Sequence, residues 1–95
     1  MYARLVMFSG KPGSRAKAEK LADQAASIYR TLKGFKSAMF ITDEAVGEYV
    51  ALSQWESKEA AEAIREALAP VQHALSDIVT GPPMIRLFEV YEPQG

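Results

Sequence analysis

The segment Pro83-Met84-Ile85-Arg86-Leu87-Phe88-Glu89-Val90-Tyr91 is apolar at both alternating sets of positions. Met84, Phe88 and Val90 hold the even ones, Ile85, Leu87 and Tyr91 the odd ones. In an extended strand the two sets point to opposite sides of the sheet. A strand apolar on both sides needs a cover on each. The stretch Tyr2 to Ser9 repeats the pattern, with Tyr2, Val6 and Phe8 set against Leu5 and Met7. The chain has helical segments for one cover only, so the second is expected to be another copy of the same chain in a homodimer.

The order of elements reads strand, helix, strand, strand, helix, strand. Gly10-Lys11-Pro12-Gly13 supplies turn residues after the first strand, and Ser14 is a candidate N-cap for the helix that follows. From there to Lys33, Leu21, Ala25, Ile28 and Leu32 recur at helical spacing, and Gly34 suits a left-handed C-terminal position. Phe35 to Thr42 and Glu48 to Trp55 are two strands joined by the turn Asp43-Glu44-Ala45-Val46-Gly47, the pattern of an antiparallel hairpin. Ser57 can cap the next helix, and Pro70 either breaks that helix or opens a further one. Val71, Leu75, Ile78 and Val79 give the last helical stripe before Thr80-Gly81-Pro82-Pro83. This order predicts one α+β domain over residues 1–95, with a ferredoxin-like βαββαβ antiparallel sheet. The right-handed crossover rule places both helical segments on one face.

Composition narrows the function classes. A chain of 95 residues buries only about 60 to 65 % of its unfolded surface, so burying a sheet face in a dimer adds useful stability. With 11 basic and 12 acidic side chains mixed along the chain and a net charge of −1, there is no basic stripe for nucleic acid. No apolar run approaches the length of a membrane span, and no export signal is read at the N-terminus, so a cytoplasmic location is expected. There is no cysteine, hence no thiolate chemistry, and no cluster of metal ligands. Gly10 and Gly13 are too few for a phosphate-cradling loop.

The run Trp55-Glu56-Ser57-Lys58-Glu59-Ala60-Ala61-Glu62-Ala63 resembles the strand-to-helix junction of the antibiotic biosynthesis monooxygenase family. Ala69-Pro70-Val71-Gln72-His73-Ala74-Leu75, Gly81-Pro82-Pro83 and Phe88-Glu89-Val90-Tyr91 are similar to that family's C-terminal part. The resemblance implies a dimeric α+β barrel. It also implies one of several activities, among them cofactor-independent oxidation of quinols and polyketides and haem degradation. Two departures bear on the choice. The chain has no asparagine, and Ala51 and Val6 stand where polyketide-oxidising and haem-degrading members respectively carry one. Ile64 replaces the helix tryptophan of the haem-degrading members, so haem cleavage is not expected.

His73, the only histidine, is the candidate catalytic base, able to take a proton from a phenol-like substrate near neutral pH. It can equally sit at the edge of its helix's apolar face. Trp55 is a candidate substrate-binding residue or an anchor between its strand and the next helix; Tyr29 and Tyr49 can orient a ligand or serve as packing. Arg4 and Arg86 fall on strands expected to be neighbours. They can hold an anionic substrate or pair with Glu48 or Glu89. The function expected is cofactor-independent monooxygenation of a small aromatic or quinol-like molecule. The other reading is a non-catalytic small-ligand-binding or regulatory protein, using the same pocket for an apolar ligand.

Overall fold

A computed structural model describes residues 1–94. Four strands form one antiparallel sheet: β1 (Tyr2–Ser9), β2 (Phe35–Asp43), β3 (Glu48–Trp55) and β4 (Met84–Glu89). Their order is β2-β3-β1-β4. Three helices complete the fold: α1 (Arg15–Tyr29), α2 (Lys58–Ala67) and α3 (Ala69–Leu75). This is the expected α+β ferredoxin-like arrangement. No described helix is long and apolar enough to cross a membrane.

The pairing registers sort every strand residue onto a face. Tyr2, Arg4, Val6 and Phe8 of β1 lie opposite Trp55, Ser53, Ala51 and Tyr49 of β3. These eight share the helical side, where the main core joins Trp55 to Ala25 and Tyr29 of α1 and to Ala61 and Ile64 of α2. Leu5 and Met7 look the other way, beside Leu52 and Val50 on β3 and near Met84 and Phe88 on β4. Met39 and Ile41 of β2, at 56% and 52% exposed, extend that second face, which no helix covers. The helices also stop short of β4, whose six residues are exposed on both faces. One chain therefore leaves more of the last strand bare than a simple two-layer reading expects.

Hairpin β2–β3 contains a bulge. Phe35 pairs with Trp55, yet the next partner pair is Ser37 with Gln54, leaving Lys36 as an extra residue. Phe35 and Phe40, an odd number of residues apart, consequently both reach the helical side.

Local chemistry explains where the helices begin and end. Ser57 Oγ accepts the amide of Ala60 at 3.1 Å, the capping bond its sequence position suggests. Ser14 does not cap: it is buried, and its side chain makes no such bond, while its carbonyl accepts the Ala18 amide. Pro70 opens α3 in its first turn. Helix α1 ends at Tyr29 rather than near Lys33. The Thr31 and Leu32 amides donate to the carbonyls of Ile28 and Tyr29 three residues back, and the Thr31 Oγ1 hydroxyl also donates to the Ile28 carbonyl at 2.7 Å. The last turn thus tightens and the chain leaves the helix. Gly34 follows at φ +87°, and a Cβ there would stand 2.8 Å from Ala60 Cβ on α2. The absence of a side chain lets α2 close on the α1–β2 connection.

Leu21, Ile28 and Leu32 are only partly buried against the core, whereas Ala25 is fully enclosed. The deepest large side chains are Trp55, Tyr29 and Ile64. Ile64→Ala is expected to cost about 2–5 kcal/mol, read as a lowered midpoint of urea unfolding at one fixed protein concentration.

Candidate functional site

A cavity of about 590 Å³ lies between the helical side of the sheet and the helices α1 and α3. Small side chains make the room. On α1 the stripe Ala18, Ala22, Ala25 and Tyr29 follows helical spacing and faces the space, and β3 answers with Ala51. Larger residues in these places would fill it to the density of an ordinary interior. Val71 and Leu75 of α3 and Val6 of β1 close the apolar wall.

Aromatic rings give the cavity rigid sides. Phe8 and Tyr49, partners across β1 and β3, stack at 5.2 Å between ring centres. Tyr29 stacks on Phe40 at 6.4 Å and meets Trp55 edge-on at 5.6 Å. Phe35 packs on Trp55 at 5.2 Å, completing a cluster that anchors one end of α1 to the sheet.

The sequence-derived candidates separate here. Tyr29 and Tyr49 line the cavity. Trp55 does not: it is 0% exposed and stands behind the wall, its indole N–H donating to Ser53 Oγ at 2.9 Å. His73 is exposed on α3 and outside the cavity lining, with Gln72 and Ser76 reaching the space instead. The turn of α3 that buries Val71 and Leu75 carries His73 to the opposite, solvent side. The imidazole is therefore not placed as a base for anything bound inside. Among the described residues, no group of three His, Cys, Asp or Glu side chains could hold a metal ion.

Among the described residues, Arg4 has no ion-pair partner. It is 4% exposed and lines the cavity, and its Nη1 has no hydrogen-bond partner. The ion pairs among the described residues are Arg15 with Glu19 and Glu44, Lys36 with Glu56, and Lys58 with Glu62. Burial pulls the Arg4 guanidinium below its ordinary value; the Tyr29 phenol opposes this and Arg65 adds to it. Arg86 is Arg4's counterpart only in sequence. It projects from the other face, opposite Leu5, and sits 4.7 Å over the Phe88 ring. The signal for Arg4 was present as a charge on the face of Tyr2, Val6 and Phe8. What the sequence lacked was any sign that no carboxylate would meet it.

Burial raises the Tyr29 phenol above its ordinary value of 10.0, with Arg4 and Ser53 pulling it partly back. A raised value for an acid means that the folded state holds the proton more firmly than the unfolded one. The associated stability is complete below pH 10 and is lost as pH rises through the folded value. Tyr29→Phe is expected to flatten this alkaline loss relative to the parent protein in denaturation measured across that range.

The comparisons with known proteins agree with this architecture. The sequence profile described as "Antibiotic biosynthesis monooxygenase" matches residues 1–70. Rv0793 from Mycobacterium tuberculosis superimposes with a TM-score of 0.83 at 18% identity, covering 99% of this chain and 98% of that one. SnoaB, a cofactor-independent oxygenase from Streptomyces nogalater, gives 0.77 at 20% identity over 97% and 94% of the two chains. A conserved protein from Methanosarcina mazei Go1 gives 0.80 at 12% identity over 93% and 91%. No curated protein matches the chain.

Proposed function

Because the chain belongs to the antibiotic biosynthesis monooxygenase family, we propose that it oxygenates a small aromatic or quinol-like molecule in the cavity under α1, without a cofactor. The observation carrying this reading is the cavity itself: about 590 Å³, walled by alanines and flanked by the Phe8–Tyr49 and Tyr29–Phe40 stacks. A flat ring of two or three fused cycles suits such a space, and Tyr29 and Tyr49 are its contact residues. Trp55 acts at one remove, holding Tyr29 edge-on. The likeness to SnoaB, described as a cofactor-independent oxygenase, supports the same chemistry.

The reaction needs only an electron-rich substrate and dioxygen. A phenol or quinol loses a proton, and its anion gives electrons to O₂ at an activated ring CH₂ carbon. The resulting hydroperoxide expels water and leaves a ketone. One oxygen atom enters the product and the other leaves as H₂O, with the two hydrogens coming from the CH₂ group. The apolar wall shields the reactive anion from water. Oxygen uptake with anthrone, the keto tautomer of 9-hydroxyanthracene and carrier of such a CH₂ carbon, in chelator-treated buffer without flavin, checks this through the appearance of anthraquinone; no uptake above the uncatalysed rate would end it. Ala22→Leu, which fills the cavity, should leave the fold intact. It is expected to lower kcat/KM roughly ten-fold or more, the equivalent of about 1.4 kcal/mol.

The working unit in this reading is a homodimer. Leu5, Met7, Met39, Ile41, Leu52 and Phe88 make one continuous apolar face without a helix over it. Two such sheets placed face to face supply the missing cover and form the barrel. Burial above about 1,200 Å² in total is expected of a stable pair. Phe88→Glu would put a charge into that seam and should convert the dimer to monomer or aggregate in sedimentation. A well-folded monomer of the parent chain at micromolar concentration would contradict the assembly.

A further inference from the structure

We propose that Arg4 binds an anionic oxygen of the cavity's ligand, so that this ligand is a flat apolar body bearing one carboxylate, phenolate or enolate. The inference rests on the cavity being the ligand site, and adds the ligand's charge and the residue that reads it.

Arg4 sits mid-strand on β1, flanked by Ser53 of β3 and Leu87 of β4, with α1 and α2 above. A buried cation is ordinarily held by a carboxylate or by a full set of hydrogen bonds. Here the groups acting on it are the Tyr29 phenol and Arg65, a second cation. The other arginine on the cavity wall, Arg15, is already neutralised: its Nη1 meets Glu44 at 2.7 Å and its Nε meets Glu19 at 3.2 Å. Among the described residues Arg4 is thus the cavity-lining cation with donor capacity to spare: it stands in a mostly apolar wall, and its buried Nη1 has no hydrogen-bond partner. A guanidinium in such surroundings forms short, charge-assisted bonds to carboxylate or phenolate oxygen. It would also favour ionisation of a bound phenol, whose proton passes to solvent, and so does not require a histidine in the cavity.

The test uses binding without turnover. Titration calorimetry would compare 2-naphthoate with its neutral analogue 2-naphthamide, and absorption would follow 2-naphthol, whose anion absorbs at longer wavelength. The parent protein is expected to bind 2-naphthoate at least about ten-fold more tightly than the amide, to red-shift 2-naphthol at neutral pH, or both. A preference for naphthoate alone identifies a carboxylate ligand; the red shift identifies a phenol or enol. Arg4→Met should abolish either signal while the free protein melts at the same or a higher temperature, because an uncompensated buried charge has been removed. Should that variant fold poorly, Arg4→Lys is expected to retain the discrimination and Arg4→Gln to lose it. No discrimination in the parent protein, or discrimination that survives both Arg4→Met and Arg4→Gln, would overturn the proposal. Anion binding without oxygen uptake from any quinol would instead remove the oxygenase reading and leave this one standing.

Discussion

A sheet with all its helices on one side has to settle the other side separately, and most of this molecule's features follow from that asymmetry. Burial of apolar surface is the dominant favourable term in folding. The helical layer provides it for Tyr2, Phe35, Trp55 and their neighbours. Across the sheet, Leu5, Met7, Leu52 and Phe88 belong to the same strands and obey the same physics, but no described helix comes to meet them. β1 lies inside the sheet, hydrogen-bonded on both edges, whereas β4, apolar on both faces as well, forms an edge.

Within the helical layer, packing is deliberately uneven. One end is filled by Trp55, Tyr29, Phe35 and Ile64, the other left open by the alanines of α1. The closed end makes the open one dependable, because rings locked against each other cannot swing into the void. Tyr29 belongs to both regions, part of the core and part of the cavity wall. It couples the rigidity of the fold to the shape of the site.

The outline of the fold was legible in the sequence because it is written in periodicities. Alternation at Tyr2–Ser9, helical spacing before Gly34 and the Ser57 cap each act through near neighbours, so each could be read locally. The details that escaped depend on distant partners. Ser14 has the right residue type for a cap, but its burial takes the side chain out of that role. The early end of α1 depends on Thr31 competing for one carbonyl. The site was less legible than the fold. His73 is the only imidazole in the sequence, yet its place on α3 turns it to solvent; Arg4 reads as half of an ion pair, whereas among the described residues no carboxylate pairs with it. The alanine stripe 18-22-25 was the overlooked clue, since small residues in helical register signal either a close contact or a deliberate space.

The bulge at Lys36 carries a consequence for how this sequence can change over time. Residues on either side of it owe their orientation to one surplus position in β2. Removing that position would leave Phe40 in the register held by the hairpin turn and would turn Phe35 away from Tyr29 and Trp55, toward the face that lies across the sheet. Single-residue replacements along the strand each alter one surface, whereas a one-codon deletion alters both at once. Shortening the strand by one residue is consequently a larger structural step than replacing one of its letters.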